Sequence, residues 1–168
     1  GTVVHMSAGY AALAGAMFLG PRTSFGDSKH TEPANIPFVI LGTGMLWFGW
    51  FGFNAGSSLG ANLLAIQAFA TTIVASATAM MGWIFFDAAR GKKISAMGAC
   101  IGAVVGLVAI TPAAGFVTIP QSIFIGFISA VISNLAVRAK NKSNLDDTLD
   151  VFPCHGLGGI SGMLLTGI

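Results

Sequence analysis

Six long apolar segments, separated by short polar connections, constrain the fold of this chain more than any other feature. A helix needs roughly 20 apolar residues to cross the hydrocarbon core of a bilayer. The apolar segments cover residues 1–19, 36–58, 61–89, 94–110, 119–139 and 151–168. Only 8% of the residues are charged, whereas a soluble domain carries about 25%. The sequence therefore predicts an all-α, polytopic membrane protein with six transmembrane helices.

The basic residues occur only in alternate connections. They follow the first, third and fifth segments: Arg22 and Lys29, then Arg90, Lys92 and Lys93, then Arg138, Lys140 and Lys142. The connections at residues 59–60 and 111–118 contain none. The positive-inside rule then places the basic loops in the cytoplasm, so that the first helix runs from the outside inward. His30 belongs to the polar loop at residues 20–35, and we expect it to be solvated.

His5 and His155 each lie in an apolar segment that is rich in glycine and alanine. An ionisable side chain within a membrane helix is costly and marks a candidate functional site. Both histidines share a helix face with small residues, which leaves room for a neighbouring helix or a lumen. The sequence thus favours one polar site built from two helices. A simple interhelical hydrogen bond from each imidazole is the alternative.

The depth of the two histidines decides whether they can meet. His5 lies roughly 20 Å outward of Leu19 at the helical rise of ~1.5 Å per residue. His155 would lie only about 8 Å from the cytoplasmic surface if Asp150 marked that surface. The histidines meet more easily if the surface lies near Asn144 and Asp150 is buried. A buried Asp150 would need partners such as backbone amides or hydroxyls.

The second segment has two distinct stripes at helical spacing. One carries larger side chains and a hydroxyl: Leu46, Trp50, Phe53 and Ser57. The other consists of Gly52, Gly56 and Gly60, and such small residues predict the close approach of a neighbouring helix. For the first stripe, ordinary packing or lipid contact is the alternative, in which Ser57 would bond back to its own helix. The fourth segment carries a similar packing stripe of glycines at Gly98, Gly102 and Gly106.

The remaining chemistry of the sequence is sparse. Cys100 and Cys154 give neither a disulfide framework nor a metal-ligand spacing. No HExxH motif or nucleophile–base pattern indicates an enzyme. We expect no cofactor, no metal and no nucleic-acid partner. A haem held by His5 and His155 would make an electron-transfer protein, but the polar groups that its propionates need are not evident near either histidine.

Four motifs carry a resemblance to a known family. They are GTVVHMSAGYAALAGAMFLGPR at residues 1–22, GWFGFNAGS at 49–57, ITPAAGFV at 110–117 and DVFPCHGLGGISG at 150–162. With these motifs the chain resembles the ammonium transporter family (Amt/MEP/Rh), and its bacterial Amt branch in particular. The resemblance implies an eleven-helix fold with inverted repeats, of which this chain is an internal part covering the fifth to the tenth helix. It also implies a homotrimer in the plasma or inner membrane and a PII-type cytoplasmic regulator as a further partner.

The resemblance assigns a role to several residues already singled out. The family's twin histidines, which share a hydrogen bond in the pore, match His5 and His155. One phenylalanine of the outer gate matches Phe53, and the serine of the outer recruitment site matches Ser57. Apolar or aromatic pore-lining positions match Trp50, Leu46 and Val151, and a buried structural acid matches Asp150. The function implied is transport of ammonium or ammonia through a hydrophobic pore, with an ammonium sensor of the same fold as the alternative.

Overall fold

The computed structural model describes residues 1–26 and 33–168, and the predictions for Lys29 and His30 lie outside these ranges. Its α-helices are α1 (Ser7–Leu19), α2 (Ile36–Asn54), α3 (Leu63–Ala89), α4 (Ala96–Ile110), α5 (Ile119–Lys140) and α6 (Gly158–Thr166). Two π-helical turns precede α1 and α6, at Thr2–Met6 and Phe152–Leu157. A short 3₁₀ turn, Gly56–Ser58, follows α2. The prediction of an all-α chain with six helical segments is confirmed.

Polar side chains determine where four of the helices begin. Asn35 accepts a hydrogen bond from the Phe38 amide at 3.1 Å and so caps α2. Asn62 caps α3 in the same way, Ser95 caps α4, and Thr118 begins α5 in a capping box. These side chains satisfy backbone amides that have no partner within the helix. Each apolar helix therefore begins directly at its polar connection.

Four of the helical stretches are long and apolar enough to cross a membrane. They are Thr2–Leu19, Ile36–Ser58, Leu63–Ala89 and Ile119–Lys140, while Ala96–Ile110 is apolar but shorter. The shorter helix α4 lies in the centre of the bundle, where Leu107, Val108 and Ile110 are fully buried. A buried turn continues it, because the amides of Ala113 and Ala114 both bond to the Ile110 carbonyl. Because protein rather than lipid surrounds α4, its length does not have to match the thickness of the bilayer.

Glycines allow α3, α4 and α5 to pack backbone against backbone. A Cβ atom added to Gly106 would lie 2.6 Å from the Ala75 carbonyl oxygen, and one on Gly126 would lie 2.4 Å from that same oxygen. At Gly102 the added atom would lie 2.7 Å from the Trp83 side chain. The prediction that the glycines of the fourth segment serve close packing is confirmed.

The glycine stripe of α2 behaves differently. A Cβ atom on Gly52 or Gly56 would meet nothing within 4 Å, and one on Gly60 would meet only the Asn62 side chain, at 3.5 Å. The predicted close approach of a neighbouring helix is therefore wrong for contacts within the described residues. The reason is that α2 contacts the bundle through its opposite face. On that face Trp50 donates a hydrogen bond to Thr111, at the C-terminal end of α4.

Two of the basic connections lie at one end of the bundle. Both the backbone amide and the Nε of Arg22 bond to the Asp146 carboxylate, at 2.9 Å and 3.2 Å. This contact joins the connection after α1 to the one after α5. The alternation of basic residues requires these two connections to lie on the same side of the membrane.

Replacing Gly106 by alanine should destabilise the full-length protein, because the new methyl group would overlap the backbone of α3. Overpacking of this kind costs roughly 1–3 kcal/mol. Gly98→Ala is the matched control on the same helix, since its nearest neighbours are side-chain atoms at 3.1 Å and 3.2 Å. Thermal unfolding in detergent measures both variants. Equal melting temperatures for the two would contradict the packing described.

Candidate functional site

Both histidines lie in π-helical turns rather than in regular α-helix. His5 belongs to the turn Thr2–Met6, and His155 to the turn Phe152–Leu157. In the first turn, the amides of His5 and Met6 share the carbonyl of Gly1, at 2.9 Å and 3.1 Å. Such widened turns are rare and occur frequently at functional sites. The sequence predicted unbroken helices here, because the apolar pattern does not distinguish a π turn from an α-helix.

The two histidine-bearing elements cross in direct backbone contact. A Cβ atom on Gly9 would lie 2.2 Å from the Gly156 amide nitrogen. One on Gly159 would lie 3.4 Å from the Cβ of His5, and one on Gly162 would lie 2.0 Å from the Ala109 carbonyl oxygen. The small residues beside each histidine thus let their helices approach each other and the central helix α4.

This crossing brings the two imidazoles face to face within an aromatic cluster. The ring centroids of His5 and His155 lie 5.8 Å apart, with their planes inclined by 25°. His5 also stacks on the Trp50 indole, with ring centroids 5.1 Å apart and planes inclined by 15°. Phe53 meets the His5 ring edge-on at 6.0 Å. His5 is only 3% exposed, so aromatic rings and not water form its surroundings.

An open, mostly apolar groove of about 590 Å³ runs past His5. Its lining combines the start of the chain with one face of α2: Val4, His5, Gly42, Met45, Leu46, Gly49, Trp50 and Phe53. Three members of the predicted stripe, Leu46, Trp50 and Phe53, therefore share one wall with the histidine. The fourth, Ser57, does not line this groove.

Ser57 lies in a second, smaller cavity of about 180 Å³, which Phe53 and Thr111 also line. Phe53 therefore contributes to the lining of both cavities. The Ser57 hydroxyl donates a hydrogen bond to the Phe53 carbonyl at 2.5 Å. The sequence analysis gave this hydrogen bond, from Ser57 to the backbone of its own helix, as the alternative to a functional role.

The structure corrects the prediction for Asp150. Its carboxylate forms an ion pair with the Lys140 ammonium at 2.7 Å and keeps 19% of its side chain exposed. Burial raises the pKa of the Asp150 carboxyl, while the hydrogen bond and charge of Lys140 act in the opposite direction. The sequence predicted backbone amides or hydroxyls as partners of the Asp150 carboxylate, whereas its partner is the Lys140 ammonium. The reason is that Asp150 precedes the π-helical turn with a left-handed backbone (φ 54°). Its carboxylate contacts Lys140 at the end of α5.

Backbone amides bind a different carboxylate, that of Asp147, which the sequence analysis missed. Its two carboxylate oxygens accept hydrogen bonds from the amides of Val151 and Phe152, at 3.0 Å and 2.8 Å. Lys140 also donates to its backbone carbonyl at 3.0 Å. Asp147 thereby caps the π turn that carries His155. An acidic residue just before a helix start was the available signal.

Val151 and Asp150 are not part of the apolar groove. Val151 is half-buried at the start of the second π turn, and Asp150 lines a separate large cavity together with Arg22 and Lys140. The described residues contain no cluster of three or more side chains that could hold a metal ion.

The fold and the site together define a multi-pass membrane protein in which His5, beside His155, lines an apolar groove. The profile described as the Ammonium Transporter Family matches residues 1–168, and the chain belongs to this family. It is 52% identical over 171 residues to an ammonium transporter of Aquifex aeolicus, covering 100% of this chain and 39% of that protein. The chain thus spans well under half the length of this relative.

Solved structures agree with this assignment. A variant of Candida albicans Mep2 superposes with a TM-score of 0.90 at 40% identity, over 98% of this chain and 37% of that one. A structure described as a sensor Amt protein superposes with a TM-score of 0.88 at 34% identity, over 97% of this chain and 42% of that one. The curated relatives matched here are named ammonium transporters, which are not enzymes.

Gly9→Val should destabilise the full-length protein and separate the two histidine-bearing elements, because its side chain would overlap the backbone at Gly156. Gly15→Val, on the same helix with nothing within 4 Å of its added Cβ, is the matched control. Thermal unfolding in detergent measures both. A melting temperature for Gly9→Val equal to that of the control would show that the close crossing is not required.

Asp147→Ala should destabilise the protein by about 0.5–2 kcal/mol, the range for loss of a helix N-cap. Asp147→Asn keeps one acceptor oxygen and should lose less. Chemical or thermal unfolding of the full-length protein orders the three proteins. Equal stability of the wild type and Asp147→Ala would refute the capping role.

Proposed function

We propose that the protein containing this chain carries ammonium or ammonia across the cell membrane through a hydrophobic pore, of which the groove is one wall. The observation that carries the proposal is the pair of facing imidazoles, His5 and His155, beside an apolar groove in a membrane helix bundle. The relatives named ammonium transporters support the substrate.

The chemistry of the groove suits a substrate that can lose its charge. Transfer of a monovalent cation from water into apolar surroundings is strongly unfavourable. Ammonium differs from potassium, a cation of similar size, because it donates hydrogen bonds and can release a proton. A pore with these surroundings therefore rejects potassium while ammonia passes.

Each proposed role rests on where its side chain lies. Phe53 acts as one ring of the outer gate, because it lines both the outer cavity and the groove. Ser57 belongs to the outer recruitment site, where its oxygen accepts from ammonium and aromatic faces add cation–π attraction of about 0.5–2 kcal/mol. Trp50 and Leu46 line the pore beside His5.

The inner residues complete this proposal. Val151 is an apolar pore residue below the histidines, and Asp150 is a structural acid whose partner is Lys140. The imidazoles of His5 and His155 hydrogen-bond ammonia or relay its proton, as neutral imidazole can both donate and accept. Passage of the proton along this pair would make transport electrogenic.

The deciding experiment uses the full-length protein in sealed proteoliposomes on a solid-supported membrane. A current after an ammonium pulse, and none after an equal potassium pulse, is the expected result. Neutral ammonia conduction would give no current but would change the internal pH in a stopped-flow assay on the same vesicles. The absence of both a current and a change of internal pH would refute transport.

His5→Ala and His155→Ala should each lower the ammonium flux or allow potassium to pass, because each removes one imidazole of the pair. His30→Ala is the matched control, since the sequence places His30 in the polar loop at residues 20–35. The current and internal-pH assays above measure all three variants. Wild-type flux together with wild-type potassium rejection in both pore variants would count against the proposed roles.

An ammonium sensor of the same fold is the second candidate, favoured by the likeness to a structure described as a sensor Amt protein. A sensor would bind ammonium and change conformation without measurable flux. Calorimetric ammonium binding by a protein that is silent in both vesicle assays would identify it.

We also propose that the whole protein is a homotrimer and that a PII-type cytoplasmic regulator binds it. The family membership supports both. The mass of the detergent-solubilised whole protein, measured by native mass spectrometry with and without added regulator, tests both at once.

A further inference from the structure

The geometry points to Thr111 as a positioning residue for the histidine pair: its hydroxyl fixes the Trp50 indole on which the His5 ring stacks. Thr111 lies at the end of α4 within the motif ITPAAGFV, to which neither the sequence nor the proposed pore roles assign a task. The inference deepens the proposed function and rests on it for its effect on transport.

The first step is the hydrogen bond between Trp50 and Thr111. The indole Nε1 of Trp50 donates to the Thr111 hydroxyl oxygen at 2.9 Å. The same hydroxyl donates its own proton to the Leu107 carbonyl at 2.7 Å. Because its proton is engaged by the backbone, the oxygen presents a lone pair to the indole. The hydroxyl therefore acts as an oriented acceptor.

The second step is the rigidity of the anchor. The turn of α4 before Thr111 is the most buried part of the bundle, with Leu107, Val108 and Ile110 at 0% exposure. Side chains in such close-packed surroundings occupy one well-defined position. The hydrogen bond thus attaches the half-buried Trp50, on the exposed helix α2, to the fixed centre of the bundle.

The third step is how His5 is oriented. A functional histidine usually donates one ring N–H to a backbone carbonyl or carboxylate, and this bond sets the direction of the ring. Among the described residues, the Nδ1 of His5 has no hydrogen-bond partner although it is buried. The contacts of this ring are aromatic: the Trp50 indole stacks on it at 5.1 Å, and the His155 ring lies nearly parallel to it at 5.8 Å.

These three steps give Thr111 an effect on a ring that it does not touch. Loss of its hydroxyl frees the indole to rotate and removes the acceptor of the Trp50 N–H. The plane of His5 then follows the indole. In transport, a misdirected imidazole no longer faces His155, so the flux falls.

The test compares four variants of the full-length protein in proteoliposomes. Thr111→Val removes the hydroxyl but keeps the branched shape, Thr111→Ser keeps the hydroxyl, and Trp50→Phe removes the indole N–H. Thr43→Val is the matched control, because the Thr43 hydroxyl makes the same kind of back-bond, to Val39 at 2.9 Å, but none to Trp50.

Thr111→Val should lower the maximal ammonium rate roughly ten-fold, the lower end of the effect of losing a residue that orients a functional histidine. Thr111→Ser should restore the rate, and Thr43→Val should leave it unchanged. Thr111→Val combined with Trp50→Phe should be no worse than the poorer single variant, because both break the same bond.

Nitrogen-15 solid-state NMR reads the same bond without reference to transport. Thr111→Val should shift the Trp50 indole nitrogen and the His5 ring nitrogens, whereas Thr43→Val should shift neither. If the wild type moves no ammonium, the proposed function fails and this measurement still decides the positioning role. Unmoved His5 signals, a wild-type rate in Thr111→Val, or no rescue by Thr111→Ser would each overturn the inference.

Discussion

The contact between Gly9 and Gly156 is the constraint on which the rest of the site depends. It is a contact between two backbones, since even a methyl group on Gly9 would overlap the chain at Gly156. There the two histidine-bearing elements come close enough for their imidazoles to face each other. The lipid tails around a bundle do not drive its helices together, so close packing through small residues supplies the attraction. The histidine pair is thus a consequence of glycine placement.

Within this packed bundle, the polar groups find partners on neighbouring helices. Ser76 donates to the Ala103 carbonyl, Ser133 to the Pro153 carbonyl and Ser161 to Ser129, each between different elements. In a membrane these bonds replace the water that the groups would otherwise have. The bond from Trp50 to Thr111 belongs to the same set, but it acts at the edge of the groove, where it links packing to the orientation of a functional ring.

The inner end of the site follows electrostatic rules instead. Asp147 places its charge at the start of the π turn, where two free amides and the helix dipole favour an anion. Lys140 neutralises Asp150 and also bonds to the Asp147 carbonyl. Lys140 is one of the basic residues that, by the positive-inside rule, orient the chain in the membrane. It therefore also holds the start of the second histidine-bearing element. One lysine serves both purposes because the end of α5 lies beside the start of that element.

The sequence alone determined the class of the protein, because apolar length and the alternation of basic residues are local and additive properties. It also picked out His5, His155 and the stripe at Leu46, Trp50 and Phe53, since charge and aromatic side chains are conspicuous in an apolar helix. It could not distinguish the glycines of α4, which meet another helix, from those of the second segment, which meet none within residues 1–26 and 33–168, because that depends on the face presented to the bundle. Nor could it reveal the π turns, the exchange of roles between Asp147 and Asp150, or the bond at Thr111. Each of these follows from which distant segments become neighbours, and only the tertiary structure decides that.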